Sequence, residues 1–74
     1  MPKRRRFFFI VQGPKQSYDD EAGTLLFDDK SACVHAETLI EELKNDGEYD
    51  FRDWMMIVQN DDGHTIFSIP FFAA

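Results

Sequence analysis

Trp54 to Phe72 reads WMMIVQNDDGHTIFSIPFF, and this stretch decides the fold. It is two apolar runs separated by Asn60-Asp61-Asp62-Gly63. Asn and Asp side chains bond to nearby backbone, and Gly63 can take the positive φ that closes a tight loop, so the stretch reads as a β-hairpin. Alternation sorts its side chains between two faces. Trp54, Met56 and Val58 share one face, and Met55, Ile57 and Gln59 the other. On the return strand Phe67, Ile69 and Phe71 alternate with Ile66, Ser68 and Pro70. A loop of even length, Asp62-Gly63 or all four turn residues, puts Trp54, Met56 and Val58 beside Phe67, Ile69 and Phe71. A three-residue loop with a bulge would mix the faces, so the even loop is the expectation. The second face, with Met55, Ile57 and Ile66, is apolar where a half-buried antiparallel sheet normally turns polar.

Working outward, Phe7 to Gln12 is a strand apolar on both faces, as a central strand is. Gly13-Pro14 ends it. Lys15 to Gly23 reads as a polar, acidic loop and Thr24 to Phe27 as a short edge strand. Asp28, with Asp29 as the alternative, is placed to cap a helix, accepting from its first free N–H groups. The helix is expected over about Asp29 to Lys44. Ala32, Ala36, Leu39, Ile40 and Leu43 form one stripe of a 3.6-residue repeat. Gly47 is the candidate left-handed cap, and Tyr49 and Phe51 are placed to pack under the helix end. The reading is an α+β domain of order strand-strand-helix-strand-strand, one helix on a mostly antiparallel sheet of about four strands.

The chain has 74 residues, enough for one domain with a small core. Residues 1–6 are expected to form a basic flexible tail and 7–74 the domain. A core of this size gains from oligomerisation. The single cysteine, Cys33, excludes an internal disulfide and fits a reducing, cytoplasmic setting. No apolar run is long enough to span a bilayer. Lys3, Arg4, Arg5 and Arg6 are four of the eight basic residues, which leaves four others against fourteen acidic side chains. That acidic body is expected to repel nucleic acid. The tetrad reads as solvated charge guarding Phe7-Phe8-Phe9, with contact to an anion or nucleic acid as the alternative.

One helix covers one sheet face. Phe8, Ile10, Met55, Ile57 and Ile66 on the other face have nothing in the chain to cover them. They are the candidate interface for a homodimer or a protein partner. No catalytic, cofactor, metal or small-molecule site is expected. Cys33 and His35 lie about 200° apart on a helix, and His64 follows the turn glycine. These three lack any ligand spacing for zinc. The turn carboxylates lack the pattern of a calcium loop. Trp54, Tyr49 and Phe51 read as packing residues rather than a platform for bases.

The order of features resembles a family of short bacterial proteins known as a domain of unknown function. It has a Phe-rich first strand like Arg6 to Val11, and an acidic stretch with a glycine like Asp20 to Gly23. An Asp-capped, Ala-rich helix like Asp28 to Leu43 comes next. An Asp-x-x-Gly hairpin and a terminal Pro-Phe, like Ile69-Pro70-Phe71, close it. The resemblance implies a bacterial source and no known activity. It also implies a departure here: the positions of Ile10, Met55 and Ile57 are often polar in that pattern. A looser likeness is to small dimeric antitoxin domains that mask a basic toxin, which an acidic body would suit.

Overall fold

The computed structural model describes residues 3–46 and 52–72. Its elements are β1 (Arg5–Gln12), β2 (Ser17–Tyr18), β3 (Thr24–Leu26), α1 (Asp29–Asp46), β4 (Met55–Gln59) and β5 (Thr65–Pro70). The strands form a five-stranded antiparallel sheet ordered β2-β1-β4-β5, with β3 also paired to β1. The α+β class stands, with one strand more than expected. Ser17–Tyr18 lies in the stretch read as a loop. A turn at Gly13–Gln16, closed by the Gly13 N–H on the Gln16 carbonyl at 2.7 Å, folds it back onto Val11 and Gln12. Strand β1 begins at Arg5, so Arg5 and Arg6 pair with Leu26 and Leu25 rather than trailing free. Gly47, Tyr49 and Phe51 lie outside the described residues.

Strand β1 is central because it is apolar on both faces. Its second half pairs with β4, Ile10 opposite Ile57. Strands β2 and β3 pair with its two ends, and the Asp19–Gly23 segment between them breaks that ladder. The Asp20 carboxylate stands in for the missing strand. It accepts from the Phe9 N–H at 3.3 Å and from the Gly23 N–H at 3.0 Å. A sheet donor that would otherwise lack a partner is thereby satisfied.

Helix α1 starts at an Asp28 cap. The Asp28 carboxylate accepts from the Ser31 N–H at 2.8 Å, and its carbonyl accepts from the Ala32 N–H at 3.1 Å. The helix buries Ala32, Ala36 and Ile40 against Phe7, Phe9, Trp54, Met56, Val58 and Phe71. Both alanines are wholly buried, as are Phe7, Met56 and Val58. Short side chains on the helix are what let it approach the aromatic sheet face. At the other end Lys44 ties α1 to the chain after β5, its ammonium donating to the Phe71 carbonyl at 2.9 Å and lying 4.4 Å from the Phe72 ring centre.

The hairpin departs from the even-loop reading. The Gly63 N–H bonds the Asn60 carbonyl and the Asn60 N–H bonds the His64 carbonyl, so the loop is the three residues Asp61 to Gly63. Asn60 Oδ1 also accepts from the Asp62 and His64 N–H groups, and Gly63 has φ of 82°. This is the turn-plus-bulge form of hairpin end. Left uncorrected, its odd length would turn Phe67 outward. A second irregularity prevents this. The register shifts between Val58 and Gln59, so Gln59 faces Thr65 while Val58 faces Phe67. Ile66 is the extra residue. Phe67 and Ile69 therefore pack on the core, as does Ile66 itself, which corrects the expectation that Ile66 shares the outer face with Ile57.

Candidate functional site

The alternation of buried and half-buried side chains defines the outer sheet face. On β1 it carries Arg6, Phe8, Ile10 and Gln12, since Phe7 and Phe9 are buried. On β4 it carries Met55, Ile57 and Gln59, since Met56 and Val58 are buried. Ile10 and Ile57 sit directly opposite each other at its centre, with Phe8 and Met55 diagonal to them. All four are half-buried. Polar or small groups frame them: Gln12 opposite Met55, Gln59 opposite Phe8, Ser68 opposite Ile57 and Pro70 opposite Met55. The result is an apolar island with a polar frame, lying on the face away from α1. Ile66 is not part of it, for the reason given above.

One member is less open than expected. Gly23, at φ of 74°, lies against Phe8 and Arg6. A Cβ there would come within 2.6 Å of the Arg6 side chain and 3.0 Å of the Phe8 ring. The Arg6 guanidinium donates to the Ala22 carbonyl and holds this loop down. No local sequence signal marks that contact. It follows from the position of Asp20 beside Phe9.

Charge is sorted as sharply as apolarity. None of the five strands contains an Asp or Glu, in a chain with fourteen of them and a net charge of −6. Helix α1 carries Asp29, Glu37, Glu41, Glu42 and Asp46, and the rest lie in loops, turns and undescribed positions.

The basic tetrad splits across the sheet. Arg4 lies with its guanidinium 5.1 Å from the Phe27 ring centre. Lys3 and Arg5 line an open groove with Phe27, Asp28, Asp29 and Lys30. The chemically reactive candidates are dispersed. The Cys33 thiol is half-buried, 3.8 Å from Glu37 Oε1. The His35 ring packs edge-on to Phe9, centres 4.8 Å apart. His64 is exposed at the turn. Among the described residues no group of three or more His, Cys, Asp or Glu is arranged to hold a metal ion. An open apolar cleft of about 550 Å³ between the last turns of α1 and the sheet is lined by Phe9, Val11, Leu39, Leu43 and Met56, together with Glu42, Asn45 and Asp46. Tyr18 stacks on Trp54, 6.1 Å between centres, at the end of the inner face.

These features define a small α+β domain: one acidic helix on an antiparallel sheet whose other face has an apolar centre and whose strands carry no carboxylate. Among the described residues no helix is long and apolar enough to cross a membrane. The chain belongs to the DUF6894 family, a domain of unknown function, whose model matches residues 6–73. No curated protein and no solved structure matches it.

Proposed function

We propose that this chain is a non-catalytic interaction module that pairs with a second copy of itself through the outer sheet face. The observation that carries the reading is the coincidence of two sortings on one surface. The Ile10–Ile57 island is apolar and uncovered by α1, and its strands hold no carboxylate. In a chain of net charge −6, copies meeting through their helices would bring acid against acid. Copies meeting through the strands would not. An apolar centre with a polar frame is also the usual anatomy of a protein interface. Arg4 and Arg6 stand at one end of the face, so an antiparallel two-fold arrangement keeps them from their counterparts. The lone cysteine suits a reducing compartment such as the cytoplasm.

The size of the face sets the strength. Four strands spaced about 4.8 Å apart, each giving about five residues at about 3.3 Å, make a footprint roughly 19 Å by 17 Å. That is small beside the ~800 Å² per partner of a standard interface. Pairing is therefore expected in the micromolar range, with dimer and monomer in concentration-dependent exchange. Sedimentation velocity over a dilution series tests it. Ile57→Asp places a carboxylate at the centre of each face and is expected to give a monomer with an unchanged circular-dichroism spectrum. A wild-type chain that stays monomeric at about 500 μM, where a micromolar dimer would be nearly complete, refutes the reading.

A further inference from the structure

The end of the sheet where β3 meets β1 carries a different chemistry from the island. Five of the eight basic side chains gather there: Lys3, Arg4, Arg5, Arg6 and Lys30. Among the described residues none of them has a carboxylate partner within ion-pair distance. Asp28 and Asp29 line the same groove as Lys3, Arg5 and Lys30; Asp28 is committed to the Ser31 N–H and feels Lys30 only through space, and among the described residues neither carboxylate lies within ion-pair distance of a cation. Unpaired cations are notable in a chain with an excess of acid. Two large apolar side chains stand exposed among them, Leu25 at 47% and Phe27 at 53%. They lie two residues apart, on and just past a strand that pairs only with β1 among the described residues.

We propose that this corner docks an extended, acidic protein segment that carries apolar side chains at alternate positions. A free strand edge offers main-chain hydrogen bonds to such a segment, and pockets for alternate side chains supply selectivity. The two-residue period of an extended chain matches the spacing of Leu25 and Phe27. Its intervening carboxylates face the other side, where Lys3, Arg5 and Lys30 line the groove. Nucleic acid fits less well. Its phosphates carry a charge at every step, which the Asp28 and Asp29 carboxylates in the groove oppose. The Phe27 face that could stack a base is occupied by Arg4. Leu25 lies opposite Arg6, at the edge of the outer face, but the proposal uses neither Ile10 nor Ile57, so the two readings can fail separately.

Fluorescence anisotropy with a labelled peptide of alternating Asp and Leu or Phe tests it on the full chain. Saturable binding is expected, weakened by added salt. Replacing Leu and Phe in the peptide by Ser, and Phe27→Ser in the protein, are each expected to weaken it at least about fivefold. The Lys3→Glu/Arg4→Glu double variant is expected to do the same. Both sites of change are exposed, so the fold is retained. The Ile57→Asp chain is expected to bind the peptide as wild type does, which separates this surface from the paired face. Three results overturn the proposal: no saturation below about 1 mM, insensitivity to these variants, or tighter binding to a single-stranded DNA oligonucleotide or to anionic phospholipid vesicles of matched charge.

Discussion

Removing the Asp20 carboxylate tests how the centre of the sheet is held. In the wild type that side chain accepts from Phe9 and Gly23, at 3.3 Å and 3.0 Å, where the pairing of β1 with β2 and β3 is interrupted. Asp20→Ala leaves two main-chain donors to find water at a half-buried site. Hydrogen bonds to a charged acceptor are each worth about 1.5–3 kcal/mol. One of these is long and water can reach part of the site, so the pair is worth about 2 kcal/mol together. A domain this small has a core that supplies roughly 3–5 kcal/mol, so the change removes about half of its stability. The melting midpoint is expected to fall by about 8–16 °C, at about 4–8 °C per kcal/mol. Asp20→Asn keeps one acceptor oxygen and should lose about half as much. Urea unfolding followed by Trp54 fluorescence gives the free energies, with the slope against denaturant unchanged. Amide exchange should rise at Phe9 and Gly23 more than at Ile57. A loss below about 0.5 kcal/mol, the scale of an ordinary surface change, refutes the view that a side chain replaces a strand here.

The other predictions rest on local geometry. Gly13→Ala pushes a methyl to within 2.7 Å of the Trp54 ring; it should cost about 1–3 kcal/mol as an overpacking change and shift the near-ultraviolet circular dichroism of Trp54. The Ser31 backbone N–H, followed by the Ser31 side chain, holds the Asp28 carboxyl below its ordinary pKa. Its contribution to stability is therefore complete above the unfolded value of about 3.9. It is lost as pH falls through the lower folded value, and a pH series of melting midpoints on Asp28→Ala should show a shallower decline in that window than the wild type.

Much of the fold was legible because single residues carry it. Asp28 announces a helix start, and the Ala32–Ala36–Ile40 stripe announces the face it buries. The hairpin shows where periodicity stops being informative. A two-residue loop, and an odd loop with one bulged residue, both end with Val58 opposite Phe67, so alternation along β5 cannot tell them apart. Only Thr65 and Ile66 change sides between the two, Thr65 joining Gln59 on the outer face and Ile66 turning to the core. Strand β2 escaped because two residues hold no periodicity; it exists through the turn at Gly13 and its pairing with Val11 and Gln12. The apolar character of the outer face was legible from Phe8, Ile10, Met55 and Ile57. The seat of Gly23 on Phe8 and of Arg4 on Phe27 was not, since both depend on how β3 returns along β1.

The bulge at Ile66 works as a slip joint. It takes up one residue between the turn and the body of the hairpin. The odd length of Asp61-Asp62-Gly63 is thereby absorbed without rotating Phe67 and Ile69 away from α1. The tip offers a grafting point for a reporter peptide or a cross-linker. It lies beyond the Phe8–Gln59 pair, at the end of the sheet where β1 carries Arg5 and Arg6, and away from the Ile10–Ile57 island.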